Sequence, residues 1–195
     1  MSLFLKHQVD AAAAMTYNEL AQVLETKNPA TGKLYTLNDL NVFKMASPAV
    51  GTGMLEDNIF VRGDWLKDPA NQKTTVAFLK ASFQGWIYCR DHQSDCVSIV
   101  LKNGSLLGRG HQTWQMNEIN KLIWPNTTGI GLVPASALAQ TSRIAKSYGV
   151  IKKAPAGATN YTYARAAVAQ LKTAGVDVYG KSWKPITVQV TPGGK

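Results

Sequence analysis

The residues best suited to hold a small polar molecule are Tyr17, Asn18 and Glu19. They follow the apolar run from Val9 to Met15 and open a helix, which is where open α/β sheets gather ligand contacts. Tyr17 offers an aromatic face, Asn18 an amide that donates and accepts, and Glu19 a carboxylate. The same spacing permits a plainer role. Thr16 as N-cap with Glu19 three residues on is a capping box, which needs no ligand. Gly51, Thr52 and Gly53, followed by Glu56 and Asp57, form the second candidate. Glycine allows positive φ and close backbone approach to a ligand, while the competing reading is a hinge whose acids face water.

Other chemistry is poorly supplied. Cys89 and Cys96 make no Cys-x-x-Cys pair, and His7, His92 and His111 are too scattered to complete a zinc site of the usual spacing. No Ser-His-Asp order and no phosphate-binding glycine loop is present. No catalytic residue, metal ligand or cofactor is therefore expected. His111 opens a helix and could act as a ligand or switch, but an isolated histidine is more often structural. Asn126-Thr-Thr128 and Asn160-Tyr-Thr162 match the N-glycosylation pattern. Cys89 falls in the last turn of one expected helix and Cys96 in the first turn of the next. The polar reversal between them lets their Cα atoms approach disulfide distance, and the alternative is two buried thiols on separate helix faces.

Composition narrows the class of partner. The chain has 195 residues, 45% of them hydrophobic and 17% charged, the composition of a globular protein. No apolar run approaches the ~20 residues a spanning helix needs. With 21 Lys+Arg against 12 Asp+Glu the net charge is +9. Nucleic acid is nevertheless not the expected partner. Arginine appears only at 62, 90, 109, 143 and 165, and the longest basic run is Lys152-Lys153. The residues before Val9 are interrupted by His7 and Gln8, so they do not read as a secretory signal.

The elements that would position these residues follow from local pattern. Residues 16–26 read as an amphipathic helix through Leu20, Val23 and Leu24. Asp68 and Pro69 open a helix to about residue 91, with Val76, Leu79, Phe83 and Trp86 as its apolar stripe. Helices are expected at about 94–102 with Val97, Val100 and Leu101 inward, and at 110–123 with Trp114, Ile119 and Leu122 inward. Two more are expected from Pro134 to Gly149 and from Asn160 to Gly175. Residues 9–15, 40–45, 58–62 and 186–190 read as strands. Consecutive helices with few strands to cover imply a sheet supplied from elsewhere, so the chain reads as the later part of a larger α/β protein.

Several segments, in order, carry a family resemblance. They are Val9-Asp-Ala-Ala-Ala-Ala-Met-Thr-Tyr-Asn-Glu-Leu20, Gly51-Thr-Gly-Met-Leu-Glu-Asp-Asn-Ile-Phe-Val-Arg62 and Asp64-Trp65-Leu66. Phe78-Leu79-Lys80-Ala81, Gly85-Trp86, His111-Gln-Thr-Trp114, Gly129-Ile-Gly131 and Thr191-Pro-Gly-Gly-Lys195 complete the set. The chain resembles the solute-binding proteins of ABC importers that take up hydroxymethylpyrimidine-type thiamine precursors. Fungal thiamine-pyrimidine synthases and sulfonate- and nitrate-binding proteins are relatives of that family.

The resemblance implies an α/β, periplasmic-binding-protein-like type II fold, here incomplete. Residues 1–39 would end the second lobe, 40–62 would be the hinge crossing with a strand of the first lobe, and 63–195 the C-terminal helical part of the first lobe. It implies a small-molecule solute as ligand, a ligand-facing Tyr and Glu near Tyr17 and Glu19, and an ABC permease as partner of the full-length parent. Tyr17 would stack on a pyrimidine whose amine and ring nitrogen suit Glu19 and Asn18; Gly51, Thr52 and Glu56 would line the crossing. The parent would be periplasmic or extracellular and membrane-associated, a compartment in which a Cys89–Cys96 disulfide would persist. Missing lobe segments would leave apolar surface or open edges, which a homodimer commonly covers. The alternatives are an enzyme like the thiamine-pyrimidine synthases, whose Cys- and His-rich iron site this chain does not match, and a fragment that no longer binds.

Overall fold

The structure, a computed structural model, describes residues 1–195 and is all-helical, with no strand and no sheet. Its α-helices are α1 (Ser2–Leu5), α2 (Glu19–Leu24), α3 (Pro69–Asp91), α4 (Gln93–Asn103), α5 (Arg109–Ile123), α6 (Ala135–Ser147) and α7 (Thr162–Thr173). The expected α/β fold, with its type II binding-protein architecture, is therefore wrong. Residues 9–15, 40–45, 58–62 and 186–190 form no ladder, and the one β-bridge joins Lys27 to Leu34 across a turn. The reason is elementary. A helix satisfies its peptide groups within its own segment, whereas a strand needs a neighbour along its whole edge.

The peptide groups of these runs find other partners or remain open. Asn117 grips Ile186 like a short piece of ladder. Its Nδ2 donates to the Ile186 carbonyl at 3.2 Å, and its Oδ1 accepts from the Ile186 N–H at 3.0 Å. Just ahead of the 58–62 run, the Leu55 N–H donates to Thr141 Oγ1 at 3.0 Å.

Local signals placed α3 to α7 to within about two residues at each end, whereas the helix expected over 16–26 spans only Glu19–Leu24 and α1 lies where no helix is expected. The Asp68 carboxylate accepts the Ala70 N–H at 2.8 Å, and Pro69 occupies the first position of α3. Gly149 and Gly175, at φ 72° and 77°, receive the chain just past α6 and α7. Which face is buried differs from the expected stripes. On α3 the buried positions are Leu79, Phe83, Ile87 and Arg90, while Trp86 is 38% exposed. On α5 the buried residues are Gln112, Asn117 and Asn120, and Leu122 is 68% exposed. Val97 is buried as expected, with Val100, Leu101, Trp114 and Ile119 half-buried.

The chain divides into two compact units. One comprises residues 1–42, 86–125 and 180–195, and the other residues 43–85 and 126–179. The core of the first includes Ala21, Val23, Leu24, Ile87, Cys96, Val97 and Trp124. The Arg90 guanidinium is also buried there, 4.8 Å over the Trp124 ring and bonded through Nε and Nη2 to the Asp91 carboxylate. The Arg90 hydrogen bond holds Asp91 below the usual carboxylate range. The stability this adds is present above that range and is lost as pH falls through the lowered pKa.

In the same unit Cys89 and Cys96 form a disulfide with their Cα atoms 5.5 Å apart. The core of the second unit includes Leu79, Phe83, Ile130, Ile144, Val168, Leu171 and Val178. No helix of the chain is long and apolar enough to cross a membrane.

Candidate functional site

In the first unit the chain folds a buried carboxylate against an imidazole. Glu25 ends α2 on the same side as Ala21 and Leu24, so its side chain is carried into the core with them. His111 stands in the first turn of α5, 86 residues away in sequence. Its Nδ1 lies 3.0 Å from each oxygen of the Glu25 carboxylate, and the two side chains are only 16% and 9% exposed. The other ring nitrogen, Nε2, lies 3.1 Å from Asn18 Oδ1. That oxygen also accepts from Gln22 Nε2 at 3.1 Å, and Asn18 Nδ2 donates to Glu19 Oε1 at 3.3 Å. These two bonds orient the amide with its oxygen toward the ring. His111 is thus held from both edges, by a charge on one side and an amide on the other.

The C-terminal turn covers this pair. The Gly193 N–H donates to the Glu25 carbonyl at 2.9 Å. At Gly194, φ 67°, a Cβ would come within 2.7 Å of His111 Cβ and 2.9 Å of Glu25 Oε2, so only glycine fits. At Gly110 a Cβ would meet Thr191 Oγ1 at 2.2 Å. Nearby, Trp114 Nε1 donates to the Thr16 carbonyl at 2.9 Å. Residues 16–25, the start of α5 and the turn at 191–195 therefore meet at one place.

Of the residues expected to bind, Tyr17, Asn18 and Glu19 are half-buried at the edge of this cluster. The expected capping box with Thr16 does not form, because α2 starts at Glu19 with Asn18 as its N-cap; Glu19 Oε2 instead accepts the Met15 N–H at 2.9 Å, ahead of the helix. A carboxylate has about four lone-pair sites, so capacity for a further donor remains. Gly51, Thr52 and Glu56 belong to the second unit. Gly51, at φ 67°, closes a turn in which its N–H donates to the Ser47 carbonyl at 2.8 Å. The Thr52 N–H and hydroxyl both donate to the Met45 carbonyl, at 3.1 and 3.2 Å. Glu56 and Asp57 are exposed.

Sequence reasoning passed over Glu25 and left His111 as a lone histidine. The available signal was a carboxylate on the apolar face of a short helix, four residues after Ala21. No three His, Cys, Asp or Glu side chains are grouped so as to hold a metal ion. The removal of Glu25 gives a direct measure of the cluster. Glu25→Ala strips the imidazole of its charged partner and should lower unfolding free energy by about 1–3 kcal/mol. Urea denaturation followed by circular dichroism measures it, and an unchanged midpoint would mean the pair holds nothing.

No protein-family model matches the chain, and no curated protein or solved structure matches it either.

Proposed function

We propose that this chain is the solute-binding component, or a part of it, of an ABC importer for a small heteroaromatic molecule of the thiamine-pyrimidine-precursor type. The observation that carries the reading is a convergence. Three of the ordered segments behind the family resemblance, at 9–20, 111–114 and 191–195, lie far apart in sequence and meet around Asn18, Glu25 and His111. The all-helical fold departs from the α/β architecture of that family, so the reading rests on the ordered segments and their meeting alone.

The chemistry at the edge of that cluster suits an aminopyrimidine. Tyr17 supplies a ring face, Glu19 an acceptor for an exocyclic amine, and Asn18 a side chain already fixed in orientation. His111 acts as a positioning residue through its contact with Asn18 Oδ1, and Glu25 acts through His111. Binding is passive in this reading, with no covalent step.

Thermal unfolding in the presence of hydroxymethylpyrimidine, its formylated amine relative and a small sulfonate tests the proposal. Saturating ligand at ~100 times Kd stabilises a protein by about 2.7 kcal/mol, which raises the melting temperature by several degrees. A rise with a pyrimidine, absent with the sulfonate and lost in Glu19→Ala, is the expected result. No shift with either pyrimidine at millimolar concentration would overturn the proposal.

A further inference from the structure

The second unit carries both halves of a contact that it does not make with itself. Residues 54–61, Met-Leu-Glu-Asp-Asn-Ile-Phe-Val, run without turn or bend and are exposed throughout. Ile59 and Phe60 are 55% and 87% exposed, and the peptide groups of residues 56–61 make no intramolecular hydrogen bond. In an extended run alternate side chains share a face, so Leu55, Asp57 and Ile59 face one way. This arm is apolar, acidic and open along its backbone.

A groove of about 460 Å³ lies on the same unit, between α3 and α7. Its lining is mostly small, with Ala77, Ala81 and Ala166 beside Val76, Gln84 and Gln170. Lys73 and Lys80 flank it, two turns apart on α3 and so about 10 Å apart along the axis. Neither lysine forms an ion pair, and neither do Glu56 and Asp57. An alanine-rich lining admits an extended segment, and the paired lysines ask for an acidic one. Residues 54–61 have both properties.

We propose that the occupant is a second copy of this chain: the arm of each molecule lies in the α3–α7 groove of the other, giving a two-fold dimer. Asp57 of one copy, on the same face as Leu55 and Ile59, then meets Lys73 and Lys80 of the other, and Glu56 adds its negative charge beside it. Leu55 and Ile59 cover the alanine-rich lining, and Gln170 and Gln84 offer side-chain amides to the open peptide groups of the arm. Because the interface is self-complementary, the arm–groove contact occurs twice and the assembly closes at two. The inference is independent of the solute-binding reading, which concerns the other unit.

Light scattering on the full chain coupled to size exclusion tests it by charge exchange. The wild type should run at about twice 21.1 kDa at low salt and shift toward the monomer as ionic strength rises. K73E/K80E has two acidic partners facing each other and should be monomeric; E56K/D57K has two basic ones and should be monomeric too. An equimolar mixture of the two variants restores opposite charges at both contacts and should return to the dimer mass. The quadruple variant should dimerise alone, which separates lost pairing from lost folding. A monomeric wild type at 100 µM overturns the proposal, including a monomer that binds a separate acidic peptide in this groove. A dimer that persists in either double variant also overturns it, because another surface would then hold the copies together.

Discussion

Leu171→Ala should destabilise the protein by about 2–5 kcal/mol, the range for truncating a buried leucine where the surroundings cannot collapse. Leu171 has no exposed surface, and neither has Val178; with Ala164, Ala167 and Val168 it forms the buried face of α7. The spacing of that face, 164, 167, 168 and 171, is the helical repeat, so the whole row bears on one core. Little slack is available beside it. A Cβ at Gly129 would lie 3.3 Å from Val168 and 3.8 Å from Val178, and Gly129 is itself held by a 2.6 Å bond from its N–H to Asn126 Oδ1. Leu122→Ala is the matched control. Leu122 is 68% exposed, and its truncation should change stability by no more than about 0.5 kcal/mol. Urea unfolding of both variants measures the contrast. Equal effects would mean that the buried face of α7 or of α5 has been misplaced.

Loss of the Cys89–Cys96 bond should cost about 2–3 kcal/mol. The bond closes a short loop, with the two cysteines seven residues apart, and a loop of that size restricts the unfolded chain only moderately. Other contacts keep the corner between α3 and α4 in place after reduction. The Tyr88 hydroxyl donates to Asp95 Oδ2 at 3.0 Å, which raises the Tyr88 pKa, and the Tyr88 and His92 rings stand 4.4 Å apart. Cys89→Ser/Cys96→Ser should therefore keep its helical circular dichroism and lose only midpoint. In wild-type protein recovered from an oxidising compartment, alkylation without reductant should add no label to either cysteine. Two labelled cysteines would remove the bond from the account, and a double variant that fails to fold would show that Tyr88, His92 and Asp95 do not suffice.

Helices α3 to α7 were legible because each of their causes is local. Asp68 and Pro69 start α3, and Gly149 and Gly175 receive the ends of α6 and α7; no distant partner takes part. The disulfide was in reach for the same reason, since seven residues and a polar reversal bring its halves together. Burial was less legible. Trp86 and Ile87 are neighbours on α3, and one residue of rotation decides which of them enters the core; periodicity carries an uncertainty of that size.

The strand pattern failed for a deeper reason. Alternation at 40–45 and 186–190 is a statement about side chains, whereas a strand exists only when another edge meets its peptide groups, and in this chain none does. The site divides in the same way. Tyr17, Asn18 and Glu19 stood out by type and by their place before a helix. The imidazole that meets the Asn18 amide did not, because His111 comes from 93 residues away and is itself held by Glu25 at the end of α2. The amino-acid sequence by itself determined helices α3 to α7, their approximate ends and the net charge of +9, while it left the Cys89–Cys96 bond open against two separate thiols. Tertiary structure alone decided which faces are buried, the absence of a sheet, and the meeting of Asn18, Glu25 and His111, because each of these depends on contacts between residues that no local rule connects.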